Sequence, residues 1–351
     1  MREVATGSVD LIVTSPPYPM IEMWDDTFAS QLPLFSQLLD ASPQEAFAMA
    51  HSLLDGVWRE CFRVLKEGAF LCINIGDATR TLGGQFELYN NHARIIEACL
   101  AMGLHMLPSI IWRKPTNAPN KFMGSGMLPC GAYITLEHEW ILIFRKGGRR
   151  AYTSAEARSE RMRSAFFWEE RNVWFSDIWE IVGAKQTLRE KASRSRSGAY
   201  PLEIPFRLIN MFSQRGDLVL DPFAGTGTTA LAAMIAGRHS VSYEIASDFA
   251  LMMQQRIRLH GVSECNDRIK QRLDQHSAFI ADREQKGKTV KHFNRELGTP
   301  VMTAQEAELE LHCLTSISEG DSGLSFVADY QPLTSSHPLP LVVGDLFSFA
   351  V

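Results

Sequence analysis

Residues 218–245 read LVLDPFAGTGTTALAAMIAGRHSVSYEI and decide the fold class of the chain. An apolar run predicts a buried strand, after which Gly225 and Gly227 permit a tight turn and close approach of a ligand to the backbone. The helix predicted from Thr228 offers free N–H groups at its first turn. A second strand ends near Glu244, where a carboxylate can accept both hydroxyls of a ribose. The stretch therefore predicts an α/β unit that binds a nucleoside-containing ligand.

This glycine turn leaves more than one ligand class open. The spacing Gly225-x-Gly227-x-x-Ala230 matches the fingerprint of dinucleotide-binding proteins, but that match is weak when it stands alone. A nicotinamide-dependent dehydrogenase and a glycine turn that serves only packing are both compatible with it. No Gly-Lys-Ser/Thr follows the turn, which excludes a P-loop.

A second informative stretch is TSPPYP, residues 14–19, at the end of the apolar run VDLIVT. Proline lacks an N–H group, fixes φ near −65°, and pushes the residue before it out of the α region. The segment is therefore predicted to be a stiff, extended turn at the end of a buried strand. Such a turn holds the Ser15 hydroxyl, a carbonyl and the Tyr18 ring in fixed positions.

The rest of the chain alternates predicted strands and helices, a pattern typical of a parallel sheet covered on both faces. After an irregular, arginine-rich stretch, the alternation resumes at residue 201. The predicted strands are residues 9–14, 69–75, 106–112, 140–144, 218–220 and 240–243, and the predicted helices are residues 43–65, 92–102, 201–212, 228–236 and 247–260.

Composition narrows the class of protein. The chain has 351 residues, of which 45% are hydrophobic and 21% charged, as in a soluble globular protein. No apolar run reaches the roughly 18–20 residues that span a bilayer, and the N-terminus lacks a signal-peptide pattern, so we expect a cytoplasmic protein with no membrane partner. Six cysteines without a C-x-x-C pair predict reduced thiols and no metal site.

Together, DPFAGTGTT and TSPPY resemble the motifs of the S-adenosylmethionine-dependent amino-methyltransferases of DNA, and their order is that of the β group. The resemblance covers about residues 8–150 and 198–258, including RVLKEGAFLCINIGD, IIWRKPTNAPN, LEHEWILIFRKGG and SGAYPLEIPFRLINMF. It implies an α/β fold, the doubly wound, Rossmann-like sheet of S-adenosylmethionine-dependent methyltransferases. It also implies catalytic residues Ser15, Pro16, Pro17 and Tyr18, and cofactor-binding residues Asp221, Pro222, Phe223, Ala224, Gly225, Thr226, Gly227, Thr228, Glu244, Tyr200 and Pro201.

The implied reaction is methyl transfer to an exocyclic base amine. The Ser15 Oγ and the Pro16 carbonyl would accept the amine hydrogens, so that the nitrogen lone pair faces the methyl sulfonium. Tyr18 would stack on a base flipped out of the duplex. The methyl group moves in line from sulfur to nitrogen, and the proton then leaves to solvent or a nearby group.

Ser15 also bears on which base is methylated. In this family, serine at the first motif position usually accompanies the N4 amine of cytosine, whereas aspartate or asparagine usually accompanies the N6 amine of adenine. The resemblance thus implies a site-specific, cytosine-N4 DNA methyltransferase, the modification enzyme of a restriction–modification pair with a cognate endonuclease. Adenine N6 methylation stays open, and a non-catalytic DNA-binding module is a further alternative.

The predicted organisation has five parts. Residues 1–145 form the catalytic half of the sheet, and 146–198 form an inserted target-recognition region. Residues 199–260 form the cofactor-binding half, 261–338 a polar, partly helical extension without an assigned role, and 339–351 a last strand. Between residues 145 and 196 there are 13 lysines and arginines against 7 acidic residues, as expected of a surface that faces DNA. The predicted DNA contacts are Lys114, Lys121, Arg189, Lys191, Arg194 and Arg196, and the predicted lip over the base is Trp24, Asp25 and Asp26.

The two ends of the chain predict a circularly arranged order of elements. Many relatives have a strand ending in Gly-Asp before the catalytic strand, but here LVVGD occurs at residues 341–345. Joined tail to head, the ends read VVGDLFSFAV–MREVATGSVDLIVTSPPY. We therefore expect the C-terminal strand to lie in the sheet near the first strand, with the termini close in space.

Overall fold

The computed structural model describes residues 1–114, 123–183, 200–320 and 325–336. The chain divides into two compact units. The described residues of Met1–Tyr152 and Trp174–Ala250 form the first unit, and those of Thr153–Val173 and Leu251–Val351 form the second. The predicted C-terminal strand, residues 339–351, lies outside the described residues, and so does its expected position beside the first strand.

The first unit is built on a seven-stranded sheet with the spatial order β11-β10-β1-β2-β8-β5-β9. Two short hairpins, β3–β4 and β6–β7, lie outside this sheet. The strands of the unit are β1 Val9–Thr14, β2 Leu65–Ile75, β3 Ala78–Leu82, β4 Gln85–Tyr89, β5 Leu104–Arg113, β6 Met123–Gly124, β7 Ala132–Tyr133, β8 His138–Lys146, β9 Ile178–Glu180, β10 Leu218–Asp221 and β11 His239–Ser242.

Helices flank this sheet and carry the chain between its parallel strands. In α3, the buried residues recur at helical spacing, so that one face packs on the sheet. The α-helices of the described residues are α1 Asp25–Ala29, α2 Phe35–Ala41, α3 Pro43–Val64, α4 Asn91–Ala101, α5 Ala155–Arg163, α6 Trp168–Trp174, α7 Glu203–Phe212, α8 Thr228–Ile235 and α9 Ser247–Gln285.

The prediction of a parallel sheet is correct for most strand pairs and wrong for β8. Strand β1 pairs in parallel with β2 and β10, β10 with β11, and β5 with β9. Strand β8 instead runs antiparallel to both β2 and β5. The described residues between β5 and β8 form only the hairpin β6–β7, and an antiparallel return needs no crossover helix.

All six residues of β1 are buried, and the strand lies between β10 and β2 in the middle of the core. Trp58 from α3 and Phe144 from β8 are fully buried in the surrounding cluster. Because β1 and β10 are parallel neighbours, their carboxyl ends meet at the same edge of the sheet. The two motif turns, residues 15–19 and residues 221–228, therefore begin side by side.

The other predicted elements are present with bounds shifted by a few residues, except at α9. The helix predicted to end at residue 260 continues to Gln285. Gly261 suggests a stop in the sequence, but a glycine inside a helix costs only about 1 kcal/mol relative to alanine. Cys265 and Ile269, buried on the following turns, offset that cost because they remove apolar side chains from water.

The described residues of the second unit form α5, most of α6 and α9, and two hairpins. Strands β12 His292–Asn294 and β13 Thr299–Val301 form one hairpin, and β14 His312–Glu319 and β15 Phe326–Pro332 form the other. Glu170 makes two charge-assisted hydrogen bonds, of 2.6 and 2.7 Å, with the buried guanidinium of Arg272. Part of the predicted target-recognition region, residues 153–173, thus packs against the extension that had no assigned role.

All six cysteines lie within the described residues and are free thiols. Five of them are buried, whereas Cys130 is exposed. Burial raises the pKa of Cys99 and of Cys265 to about 12. Among the helices of the described residues, none combines the length and the apolar character needed to cross a membrane.

Candidate active site

The catalytic turn, residues 15–19, follows β1 and is held by side chains of the neighbouring strands. The Ser15 Oγ lies 3.1 Å from the Tyr18 hydroxyl, which donates to Glu139 Oε2 at 2.8 Å. Asn74 Nδ2 donates to the Tyr18 oxygen and to Glu139 Oε2, both at 2.7 Å. Asn74 belongs to β2 and Glu139 to β8, so the hydroxyls of the turn are fixed by the sheet itself.

A second set of contacts supports the back of this turn. Asn91 Nδ2 donates to the Pro19 carbonyl at 3.1 Å and to the Gly76 carbonyl at 3.0 Å. His51 Nε2 lies 2.9 Å from Asn91 Oδ1, and burial lowers the pKa of His51 to about 4. His51 is therefore neutral near pH 7 and donates to Asn91, because an amide oxygen can only accept.

Tyr18 is a fixed, protonated group. Its side chain is 9% exposed, and burial together with the charge of Glu139 raises the pKa of Tyr18 well above its usual value. Gly76 makes room for this arrangement, since a Cβ at that position would lie 3.0 Å from Tyr18 Cε2 and 3.2 Å from Glu139 Cγ. The Tyr18 hydroxyl therefore stays a hydrogen-bond donor throughout the ordinary pH range.

The cofactor turn, residues 221–228, follows β10 and adopts the left-handed conformation at Gly225 (φ 52°) and Gly227 (φ 80°). Gly225 N donates to Glu244 Oε2 at 2.7 Å, and Ala246 N donates to Glu244 Oε1 at 2.8 Å. Each carboxylate oxygen keeps a second lone pair, so Glu244 can still accept the two hydroxyls of a ribose. Within the described residues, no atom lies within 4 Å of a Cβ added at Gly225, which leaves room for a ligand there. The residues present fit a nucleoside-containing cofactor.

Asp221 acts differently from its neighbours in the motif because its side chain points into the protein. It is 2% exposed and accepts hydrogen bonds from Thr14 Oγ1 (2.6 Å), Thr229 Oγ1 (2.6 Å) and Phe223 N (3.0 Å). Burial raises its pKa to about 6. Through Thr14, Asp221 ties the cofactor turn to the last residue of the catalytic strand.

A pocket of about 250 Å³ opens beside the catalytic turn, within the first unit. Several aromatic rings and the Lys114–Glu139 ion pair line it, and the Lys114 ammonium lies 4.4 Å from the centre of the Trp112 ring. Such walls suit a planar ring with polar edges. The lining residues are Pro16, Tyr18, Ile21, Met23, Trp24, Trp112, Lys114, Glu139, Gly183 and Tyr200.

The structure brings together several residues that the sequence singles out. Pro16, Tyr18, Lys114 and Tyr200 all line the pocket, and the Tyr200 hydroxyl hydrogen-bonds to Thr229, behind the cofactor turn. The remaining motif residues lie at the same edge of the sheet, either half-buried (Ser15, Pro17, Pro201, Pro222, Phe223, Thr226) or buried (Ala224, Thr228). Five predicted DNA contacts lie outside the described residues: Lys121, Arg189, Lys191, Arg194 and Arg196.

The predicted lip over the base begins at Trp24, which lines the pocket. Asp25 starts α1 and pairs with Arg80 through two hydrogen bonds of 2.9 and 2.6 Å. Since this ion pair joins α1 to β3, the start of the lip is anchored to the β3–β4 hairpin.

Three contributors to the site were missed by sequence reasoning: Asn74, Asn91 and Glu139. For Asn74 a signal existed, because it is a polar residue inside the apolar run LCINI. Buried polar side chains are nearly always hydrogen-bonded, so such a residue marks a partner elsewhere in the fold. Neither Asn91 nor Glu139 stands out in this way, since each lies at a helix or strand end.

Comparison with known proteins agrees with this geometry. Residues 9–255 match the model of a DNA methylase family, the N6/N4 methyltransferases. The Type II methyltransferase M.MthZI of Methanothermobacter thermautotrophicus is 46% identical over 315 residues, which cover 89% of this chain and 87% of that protein. The Type II methyltransferase M.MjaI of Methanocaldococcus jannaschii is 47% identical over 269 residues, which cover 73% of this chain and 88% of that protein.

Solved structures give the same answer for the fold. The Thermus thermophilus protein TTHA0409, solved in complex with S-adenosyl-L-methionine, is 34% identical, with a TM-score of 0.56, and the match covers 73% of this chain and 89% of that chain. The PvuII DNA methyltransferase (cytosine-N4-specific) is 15% identical with a TM-score of 0.52, and the match covers 72% of this chain and 80% of that chain. At that identity the second likeness concerns the fold alone.

Proposed function

Because the chain belongs to the N6/N4 family of DNA methylases, we propose that it methylates the exocyclic N4 amine of cytosine at a specific site in double-stranded DNA. It is a DNA methyltransferase, and S-adenosyl-L-methionine is the cofactor that supplies the methyl group. Ser15 carries the choice of cytosine N4, because this neutral hydroxyl occupies the first position of the catalytic motif and lies 3.1 Å from the hydroxyl of Tyr18, which lines the pocket.

The cofactor turn holds the cofactor in this proposal. Glu244 accepts from the ribose hydroxyls with its remaining lone pairs, and the open space at Gly225 lets the ligand approach the backbone. Phe223, half-buried at the start of the turn, offers an apolar surface. Asp221 contributes from beneath, since its bonds to Thr14 and Thr229 fix the turn.

The hydrogen-bond chain around Ser15 supports its role as an acceptor. Tyr18 has a single hydroxyl proton and gives it to Glu139, so the Ser15 hydroxyl must donate to the Tyr18 oxygen. The Ser15 Oγ then keeps a lone pair for an amine hydrogen of the base. The Pro16 carbonyl accepts the second hydrogen, and the nitrogen lone pair is directed away from both acceptors.

The pocket is the site proposed for the flipped base. Tyr18 stacks on the base there, and its ring is held at the hydroxyl by Glu139 and Asn74. A rigid ring loses little conformational freedom when the base enters, which favours binding. Lys114 also lines the pocket, and we assign it and the basic residues of the 146–198 region to contacts with DNA.

We also propose a role as the modification enzyme of a restriction–modification pair. M.MthZI and M.MjaI, the relatives described above, both carry the name Type II methyltransferase. In this role the chain recognises a short sequence and protects it from a cognate endonuclease.

The test is transfer of labelled methyl groups from S-adenosylmethionine to mixed-sequence duplex DNA, followed by digestion to nucleosides and mass spectrometry. We expect N4-methylcytosine. N6-methyladenine would overturn the assignment to cytosine while leaving the family chemistry intact. DNA without label would contradict the proposed substrate itself.

A further inference from the structure

The second unit carries a concentrated positive charge at residues 286–295, KGKTVKHFNR, which lead from the end of α9 through the first strand of the β12–β13 hairpin and are here called the cationic hairpin. This segment contains four lysines and arginines and no acidic residue, although the whole chain has a net charge of −5. Lys288, Lys291 and Arg295 are all exposed. Such local concentration against the overall charge is the usual mark of a surface that binds a polyanion.

Lys288, Lys291 and Arg295 differ from exposed basic residues of α9 in the same unit, because those residues are paired with acidic side chains. On α9, Lys270 pairs with Asp274 and Arg258 with Glu319, each at 2.5 Å. Lys288, Lys291 and Arg295 have no acidic partner within 4.0 Å among the described residues of the chain. A solvated surface normally mixes both signs of charge, so three unpaired cations in this short segment call for a partner that carries negative charge.

The cationic hairpin is also held in a defined shape. Asn294 is 0% exposed, and its Nδ2 donates to the carbonyls of Glu306 (2.9 Å) and Leu309 (2.8 Å). Its Oδ1 accepts from Leu297 N at 2.9 Å, which closes the turn between β12 and β13. Arg295, next to Asn294, therefore stands on a fixed scaffold, which lowers the entropy lost when a ligand binds.

An aromatic ring lies among the charges. Phe293 is 52% exposed although its neighbour Asn294 is buried. An exposed phenylalanine between Lys291 and Arg295 fits a surface that makes both ionic and apolar contacts. Nucleic acid presents both, because its phosphates alternate with deoxyribose rings and groove edges.

We infer that the cationic hairpin binds the sugar–phosphate backbone of duplex DNA, with Lys288, Lys291 and Arg295 on phosphates and Phe293 on an adjacent sugar or groove edge. This role rests on the chain acting on DNA and not on which base it methylates. It assigns a function to the extension formed by residues 261–338. Phosphate contacts of this kind add affinity and register but carry no sequence preference.

The experiment measures the dissociation constant of a fluorescent DNA duplex at several salt concentrations. Replacing Lys288, Lys291 and Arg295 together by alanine should lower the slope of log Kd against log salt by about 2 to 3, since each phosphate contact contributes about 0.9. Affinity at about 0.1 M salt should fall at least about tenfold. Phe293→Ala should weaken binding without changing the slope.

The matched control removes the same charge elsewhere. Arg2, Arg59 and Lys270 are exposed and lie outside the 146–198 region, and alanine at all three should leave the slope unchanged. The inference is overturned if the hairpin triple variant binds DNA with the wild-type affinity and slope. At saturating DNA, the triple variant should methylate at the wild-type rate. A product methylated on adenine would contradict the proposed base but would leave the inference about the cationic hairpin unchanged.

Discussion

The two motif turns begin on neighbouring strands, yet they are stabilised in opposite ways. The catalytic turn depends on side chains from distant segments, Asn74, Asn91 and Glu139. The cofactor turn instead donates with its own N–H groups, from Phe223 to Asp221, from Gly227 to the Ala224 carbonyl and from Gly225 to Glu244. Prolines supply no N–H groups, so a proline turn must take its donors from elsewhere, whereas a glycine turn carries its own.

The same contrast extends to pH. Burial lowers the pKa of His51, behind the catalytic turn, to about 4, and raises the pKa of Asp221, beneath the cofactor turn, to about 6. The native state therefore resists protonation at His51 and favours it at Asp221. As the pH falls from about 6.5 to about 4, His51 contributes less stability to the native state behind the catalytic turn. Over the same range the buried charge of Asp221, beneath the cofactor turn, is neutralised.

Ser15→Ala should give the largest effect and act on the catalytic turn alone. Loss of one acceptor at the reacting amine should lower kcat on the order of 100- to 1,000-fold, about 3 to 4 kcal/mol of barrier. Binding of S-adenosylmethionine, measured by calorimetry, should not change. Ser8→Ala is the matched control, since that hydroxyl only donates to Ala5 O before β1 begins. Wild-type kcat in Ser15→Ala would remove Ser15 from the mechanism.

His51→Gln should remove the acid sensitivity of the support behind the catalytic turn. Between about pH 4 and 6.5, His51 is protonated in the unfolded chain but neutral in the native state. The free energy of unfolding of the wild type therefore rises with pH in this window, by about 3 kcal/mol in all. Glutamine can still donate to Asn91 but does not titrate. Urea unfolding at several pH values should show this rise in the wild type and not in the variant.

The exposed His105 provides the control for this measurement. His105→Gln should keep the wild-type profile. If His51→Gln keeps it as well, His51 titrates normally in the native state.

Asp221→Asn should change the pH dependence of stability in the opposite direction, through the charge beneath the cofactor turn. Here the native state binds the proton more tightly than the unfolded chain, so wild-type stability falls as pH rises from about 4 to about 6, by about 2 to 3 kcal/mol. Asparagine keeps an acceptor for Thr14 and Phe223 but carries no charge. The variant should therefore gain stability over the wild type through this window, as measured by urea unfolding.

Asp248 is exposed, so Asp248→Asn should not reproduce the gain. A constant difference between Asp221→Asn and the wild type at every pH would mean that Asp221 is not the titrating group.

Gly225→Ala should have the smallest effect on the protein and a clear one on the cofactor. No described atom would contact the new methyl group, so only the positive φ costs stability, about 1 kcal/mol. Gly7 has a similar φ of 63° and similar free space, which makes Gly7→Ala the matched control. Both variants should lose the same stability, but only Gly225→Ala should weaken cofactor binding, by about tenfold. Equal cofactor affinities would place the ligand away from this turn.

The sequence indicates which residues meet in space where the partners lie close together along the chain, although their roles toward the cofactor stay predictions. Glu244 was assigned to the cofactor from its distance to Gly225, and the structure joins the two by a hydrogen bond. The support of the catalytic turn could not be predicted in this way, because Asn91 and Glu139 reach it only after the sheet has formed. The direction of β8 was missed for a related reason, since the period of apolar residues is the same in parallel and antiparallel strands.

The single exposed thiol offers a practical consequence. A thiolate, not a thiol, attacks maleimides, and the five buried cysteines are shielded from reagents. A maleimide dye should therefore attach to the native chain at Cys130 alone, with no residue replaced. Cys130 lies between β6 and β7, strands that join β5 to β8, and β8 carries Glu139. The unaltered chain thus offers one defined position for a dye, on the segment between β6 and β7.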